Sequence, residues 1–339
     1  MKVLSLFPFG PVERARLEGV SPLLHIEHGP GATRASVDEL VDPQIEVLLS
    51  AYAPSDPRRL PALKWVASVT AGIEEIAATD PWRHGITVTN GSGLHASAMG
   101  EYVLGTVLGV TQRTADRLDA QRDRRWPAWS SPPWVHLAGT RLRGTTALIV
   151  GYGSVGREIG RLLSAFGVRI VAVKARPDAP RDDGFRLPGT GDPAGEIPEH
   201  LIGFDALAGA LGDADFVVIT VPLTDQTRRL VDAPFLSRMR RDAWLINVGR
   251  GGHADEAALI GALRAGRIAG AVLDVFDDEP LPEDSPFWAL PNVILTPHLA
   301  GAGGPKAFWP DASRLLAENL RRYVAGDPLL NVIDGARGY

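Results

Sequence analysis

The stretch Thr146-Ala147-Leu148-Ile149-Val150-Gly151-Tyr152-Gly153-Ser154-Val155-Gly156-Arg157 decides the fold. Ala147–Val150 is a short apolar run that reads as a buried strand. A glycine turn follows at Gly151–Gly156, then a helical pattern over Arg157–Phe166 and a second apolar run at Arg169–Val173. The G-x-G-x-x-G string alone carries little weight. With 37 glycines in 339 residues, three fixed glycines arise by chance about 0.4 times in a chain this long. Its place inside a strand–turn–helix–strand unit is what gives it meaning. There Gly151 permits the tight turn and Gly153 lets backbone approach a pyrophosphate. Gly156 allows close packing of helix on strand, Gly160 extends the small face, and the helix start at Ser154 and Val155 offers unpaired N–H groups to the anion. The stretch predicts a dinucleotide-binding βαβ unit.

Working outward, further strands are expected at Phe216–Val221, Trp244–Val248, Ile268–Asp274 and Val293–Thr296, with a helix from about Asp255 to Ala265 capped by that aspartate. These complete one doubly wound domain. Ahead of it, the apolar runs Lys2–Phe7, Glu46–Ala51 and Trp65–Thr70 alternate with helical or turn-rich segments, which predicts a second α/β domain with a parallel sheet. Ala96–Thr111, with Met99, Val103, Val107 and Val110 at helical intervals, reads as a linking helix. A last helix near 311–324 returns to the first domain. Pro177–Gly203 is rich in Pro, Gly and Asp without periodicity and reads as a surface loop.

Composition narrows the partners. With 35 basic and 40 acidic side chains the net charge is −5, so no global positive field exists for nucleic acid or an anionic membrane. The chain has no cysteine, which excludes disulfides, thiolate metal sites and cysteine nucleophiles and leaves redox work to a cofactor. Met1–Phe9 reads as a first strand, not a signal peptide. The longest apolar stretch, Ala96–Val110, is interrupted by Glu101. A cytoplasmic protein with a small-molecule partner is expected.

The residue that selects the nucleotide is expected at the end of the second strand of the βαβ unit, where an acid would bond the adenosine ribose. Here the chain reads Val173-Lys174-Ala175-Arg176. Two cations attract a 2′-phosphate that an aspartate would repel, so NADP is favoured over NAD. The alternative is that both cations are solvated and Asp178 or a backbone group serves the ribose.

Several segments in order then resemble the D-isomer-specific 2-hydroxyacid dehydrogenases, the family of glyoxylate/hydroxypyruvate reductases, glycerate and D-lactate dehydrogenases. They are the glycine turn, Pro222-Leu223-Thr224 with Thr227, Asn247-Val248-Gly249-Arg250-Gly251, Leu273-Asp274-Val275-Phe276 with Glu279-Pro280, and Thr296-Pro297-His298. Each is common alone; their order and spacing are specific, and the resemblance covers nearly the whole chain. It implies two doubly wound parallel-sheet domains, a Rossmann cofactor domain (96–301) inserted into a flavodoxin-like substrate domain (1–95 and 302–339), with a cleft between them. It also implies hydride transfer between NAD(P)H and C2 of a small 2-keto acid, giving a D-2-hydroxy acid.

By the same resemblance Arg250 would orient the substrate carboxylate with its rigid fork and polarise the carbonyl. His298 would hand a proton to the nascent alkoxide, and Glu279 would hold the ring through its other nitrogen. Ala71 and Gly72 would offer backbone N–H groups to the carboxylate. Val221, Pro222, Thr227, Val248, Gly249, Asp274 and Ala300 would line the cofactor, with Asp274 near the nicotinamide carboxamide. No metal is implied. Formate is disfavoured because Glu279 stands where that branch has glutamine. Dehydrogenases of phosphite or phosphoglycerate remain alternatives, as does a dinucleotide-sensing corepressor.

Other residues have blander readings. His95 reads as a surface residue near the Asn90–Gly93 turn. His25 and His28 are expected on a helix surface, with nothing to complete a metal site. Phe308 and Trp309 either shape the substrate pocket or pack the last helix. Trp126, Trp129 and Trp134 lie in the segment Gln121–Trp134, read as an arm that docks on a second copy in a homodimer.

Overall fold

The computed structural model describes residues 1–31, 33–126 and 137–335. They form two compact units, each built on an all-parallel sheet. The first unit comprises Met1–His95, Asp183–Gly189 and Ala302–Tyr339. Its strands are β1 (Lys2–Ser5), β2 (His25–His28), β3 (Val47–Leu49), β4 (Trp65–Ala67) and β5 (Thr87–Thr89), in the order β2-β1-β3-β4-β5 of flavodoxin-like sheets. Because strand side chains alternate between faces, Val3, Val47, Leu49 and Trp65 pack on one side with Leu315, Leu316 and Leu320 of the helix Pro305–Ala325. Leu4, Leu48, Val66 and Val88 pack on the other with Val37 and Ile76. That helix begins earlier than its sequence pattern suggests and keeps Pro310 inside it, where a proline ordinarily marks a boundary.

The two-histidine segment is corrected by the same sheet. His25–His28 is the edge strand β2, not a helix. In a strand, residues i and i+3 point to opposite faces, so His25 and His28 share no surface.

The second unit comprises Ala96–Asp182 and Thr190–Gly301. Its strands are β6 (Thr146–Val150), β7 (Arg169–Val173), β8 (His200–Ile202), β9 (Phe216–Ile219), β10 (Trp244–Asn247), β11 (Gly270–Leu273) and β12 (Val293–Leu295). They lie in the order β12-β11-β10-β9-β6-β7-β8, the Rossmann order with one strand added, and strand order reverses at β6 and β9. Leu148 and Val150 face one buried layer, Ala147 and Ile149 the other. The linking helix spans Ala96–Thr111, and Asp255 caps the helix Glu256–Arg264 by accepting the Ala258 N–H at 3.1 Å.

Pro177–Gly203 is more than a surface loop. Residues 183–189 group with the first unit, Asp192 is 5% exposed, and its end forms β8. The segment has no periodicity because separate polar contacts hold it in place of a repeating apolar face. Trp126 follows the helix Thr114–Arg122 and is 93% exposed, while Trp129 and Trp134 fall outside the described residues. No helix among the described residues is long and apolar enough to cross a membrane.

Candidate active site

The glycine turn is shaped as its sequence requires. Gly151 has φ 109°, and a Cβ there would lie 2.7 Å from the Val221 nitrogen; at Gly156 it would lie 2.2 Å from the Gly151 carbonyl oxygen. Both positions exclude any side chain. Gly153 differs: a Cβ there would meet nothing within 4 Å, so its missing side chain leaves open space at the helix start. The helix Ser154–Ala165 has no side-chain cap from its N-cap residue Gly153, and a helix N-terminus of this kind favours an anion.

At the end of β7 the two cations part company. Lys174 turns its Nζ onto the carbonyl oxygens of Ala179 and, at 3.3 Å, Arg181, and burial, aided by Arg157 and Arg176, lowers its pKa. Arg176 is exposed. The segment that Lys174 grips is held more firmly by Arg157, only 2% exposed. The Arg157 guanidinium donates to the carbonyls of Asp192 and Pro180, lies 3.3 Å from Asp182 Oδ2 and stands over the Tyr152 ring. Asp192 accepts the Tyr152 hydroxyl at 2.8 Å and the N–H groups of Gly195, Glu196 and Ile197 at 3.0 Å. Burial and the Asp192 carboxylate push the Tyr152 hydroxyl pKa far up. Two residues of the glycine turn's own helix and loop thus fasten Pro177–Gly203.

The carboxyl ends of β10, β11 and β12 carry the acid–base and substrate candidates. After β10, Arg250 is half-buried, with its N–H on His253 Nδ1 at 3.0 Å and its carbonyl on Asn247 Nδ2 at 3.0 Å. His298 Nδ1 lies 2.7 Å from Glu279 Oε2, and Glu279 Oε1 accepts the Phe276 N–H at 3.0 Å. Burial works to raise the Glu279 pKa. The His298 bond, the Phe276 N–H and the charges of His298 and Arg250 outweigh it, and the net shift is downward. The pair is therefore built around an ionised Glu279, and it engages His298 through Nδ1, which leaves Nε2 outside that bond.

Asp274 serves the loop that carries this histidine. It is 1% exposed, accepts Leu299 N–H (2.8 Å) and Thr296 Oγ1 (2.6 Å) on one oxygen, and takes Ala300 N–H (2.9 Å) on the other. The Tyr102 hydroxyl lies 2.6 Å from Thr296 Oγ1. Val221, Val248 and Ala300 are buried. Thr227 Oγ1 donates to the Pro222 carbonyl at 2.7 Å and accepts the Thr224 N–H at 2.8 Å, which closes the turn after β9.

In the first unit, Asn90 Nδ2 holds the Ala71 carbonyl at 2.8 Å and Thr70 Oγ1 holds that of Gly72 at 2.7 Å, so the turn after β4 is fixed by its carbonyl side. His95 stacks on Phe308 with centroids 5.1 Å apart. Trp309 meets Phe9 edge-on at 5.6 Å within the core of this unit.

Residues 104–300 match the sequence profile of the D-isomer specific 2-hydroxyacid dehydrogenase, NAD binding domain. The chain belongs to the D-isomer-specific 2-hydroxyacid dehydrogenase family. It is 34% identical over 244 residues to a glyoxylate reductase of Thermofilum pendens, covering 71% of this chain and 67% of that one. Among solved structures it resembles a D-isomer specific 2-hydroxyacid dehydrogenase of Xanthobacter autotrophicus in complex with NADPH and MES (31% identity, TM-score 0.78, 100% and 99% of the two chains). It also resembles the NADPH-dependent glyoxylate/hydroxypyruvate reductase of Sinorhizobium meliloti with NADP and sulfate (26% identity, TM-score 0.76, 100% and 99%).

As a 2-hydroxyacid dehydrogenase, the protein is an NAD(P)-dependent oxidoreductase. The open Gly153, the uncapped helix start and the close approach of Gly151 to Val221 fit a dinucleotide pyrophosphate. Sequence reasoning overlooked four residues around the site: Tyr102, Arg157, Asp192 and His253. Tyr102 sits among apolar helical positions, where periodicity says nothing of its hydroxyl. Arg157 directly follows the last glycine of its motif, and His253 lies two residues past the end of another. A charged or polar residue there, in a segment bound for the interior, is the one signal that marks them.

Proposed function

We propose that this dehydrogenase reduces small 2-keto acids of the glyoxylate/hydroxypyruvate type to D-2-hydroxy acids, with NADPH preferred over NADH. The observation that carries the reading is the grouping of Arg250, Glu279 and His298 at the strand ends of the same unit that bears the glycine turn. The Arg250 guanidinium binds the substrate carboxylate and polarises the adjacent carbonyl. The reduced nicotinamide, when bound, supplies the hydride to C2. His298 gives its Nε2 proton to the carbonyl oxygen as charge develops there, and Glu279 holds the ring and stabilises its protonated form. Ala71 and Gly72 turn their N–H side to the carboxylate. Unit one is then the substrate domain and unit two the cofactor domain.

The NADPH preference rests on Arg176, exposed one residue past Ala175 with no acid at the strand end; Lys174 beside it has its ammonium on the Ala179 and Arg181 carbonyls and supports the segment instead. A homodimer in the cytoplasm is part of the reading, supported by the exposed Trp126; light scattering that gives one chain's mass at micromolar concentration overturns the dimer. The function is tested with purified protein, NADPH and a panel of 2-keto acids including glyoxylate and hydroxypyruvate. Loss of nicotinamide absorbance with at least one is expected. Tight NADPH binding without turnover of any panel member rejects the substrate assignment.

A further inference from the structure

We infer that His253 is a positioning residue that aims Arg250 at the substrate carboxylate and so sets affinity for the 2-keto acid. The inference rests on the role proposed above for Arg250. His253 is 0% exposed, in the turn Gly251–His253 that follows β10. A buried histidine costs desolvation that an apolar side chain would avoid, so its polar atoms need an account.

The account lies in Arg250. Its N–H donates to His253 Nδ1 at 3.0 Å and its carbonyl accepts from Asn247 Nδ2 at 3.0 Å. The peptide group on its N–H side is therefore fixed by a side chain alone, and the one on its carbonyl side by the Asn247 amide together with the His253 N–H at 3.2 Å, which closes the turn. Because Nδ1 accepts, the ring's proton is on Nε2, which is buried, lies toward the Pro222 carbonyl and lacks a well-formed hydrogen bond. The turn is also tightly fitted. A Cβ on Gly249 would meet the His253 ring at 2.8 Å, and one on Gly251 would lie 1.9 Å from the Phe276 carbonyl carbon, in the segment leading to Glu279. The His253 carbonyl accepts the Val231 N–H at 2.9 Å. Arg250 thus leaves a backbone whose direction is set by a ring three residues on, and small misplacements of a substrate-holding group are costly to catalysis. The ring faces two cations, Arg250 and Arg228, and its burial also favours the neutral form that can accept the Arg250 N–H.

The test compares His253→Leu, His253→Asn and His253→Gln with Arg250→Gln as reference. It measures glyoxylate KM and kcat, the NADPH Kd by fluorescence quenching, and the melting temperature. An asparagine oxygen reaches the Nδ1 position and accepts the Arg250 N–H; a glutamine oxygen reaches toward Nε2 instead. H253L is expected to raise the glyoxylate KM about tenfold, the loss of one hydrogen bond, with a smaller change in kcat and unchanged NADPH Kd. H253N is expected to restore most of the KM and H253Q to fail. Wild-type KM in H253L, or equal KM in H253N and H253Q, overturns the inference; the second comparison stands even if H253L does not fold. R250Q separates the two readings. If it leaves KM unchanged, the role of Arg250 fails; if it raises KM while the His253 series does not, only the role of His253 fails.

Discussion

Tyr102 Oη stands 2.6 Å from Thr296 Oγ1, and the threonine hydroxyl is itself 2.6 Å from Asp274 Oδ1. Thr296 gives its proton to the carboxylate, so Tyr102 is the donor to Thr296. The row continues from Asp274 to the N–H groups of Leu299 and Ala300, and the linking helix is wired to the loop that carries His298. Tyr102→Phe is expected to lower stability by about 1 kcal/mol and to reduce kcat more than it changes NADPH Kd. Asp274→Asn puts an NH2 in place of one carboxylate oxygen, facing either the Ala300 N–H or the Leu299 N–H and Thr296 hydroxyl at a 1% exposed site, and is expected to cost about 3 kcal/mol. Denaturant melts with single-turnover rates check both.

Removing the proposed proton donor should be more damaging than any of these. His298→Asn is expected to reduce kcat/KM by about a hundredfold or more, the usual scale of general acid catalysis, while NADPH still quenches tryptophan fluorescence. An intact kcat/KM in that variant removes His298 from the chemistry.

Glu279 gives a pH dependence with a definite sign. Its carboxyl titrates below the ordinary 4.5 in the fold, so the folded state holds the ionised form more tightly than the unfolded chain does. The stabilisation is complete above the unfolded value and is lost as pH falls through the folded one. Melting temperatures of wild type and Glu279→Gln should therefore differ at neutral pH and converge in the acid range. A difference that grows on acidification contradicts the assignment.

Arg157 is the pin of Pro177–Gly203. Arg157→Ala removes the guanidinium from the carbonyls of Pro180 and Asp192 and from the Asp182 carboxylate, and about 3 kcal/mol of destabilisation is expected for breaking a buried charged network. Protease cutting within 177–203 should rise first. Cutting elsewhere with that segment intact would argue against the pin.

The two cations at the end of β7 should behave differently on mutation. Arg176→Ala is expected to lower the NADPH-over-NADH preference about tenfold, the loss of one charge-assisted contact. Lys174→Ala, whose ammonium is already on the Ala179 and Arg181 carbonyls, should weaken both dinucleotides together. Ratios of kcat/KM for the two cofactors decide it.

What could be read from the sequence follows from which forces leave a pattern. The βαβ unit around Gly151–Gly156 and the Asp255-capped helix were legible because buried strands, tight turns and caps each demand particular residues at fixed spacing. The order of Arg250, Glu279 and His298 was legible only through family resemblance. The edge strand His25–His28 was not, because its alternating exposure spans four residues and its two histidines mimic a helical interval. The anchoring of Pro177–Gly203 was not, because Asp192 satisfies Tyr152 and three amides through one carboxylate, and a single buried acid has no period. His253 and Tyr102 act through one hydrogen bond each, which composition and spacing do not record.

His298 itself has φ 54°, in the left-handed region that L-residues other than glycine occupy at a cost of about 1 kcal/mol or more, histidine being among the more tolerant. Its pairing with Glu279 is half in solvent, with His298 50% exposed, and recovers little of that. Glycine or asparagine would suit this backbone as well or better. Thermostability screening of this dehydrogenase, run without a turnover assay, will therefore accept replacements that erase the proposed proton donor, because selection for a durable fold and selection for a working one diverge at this position.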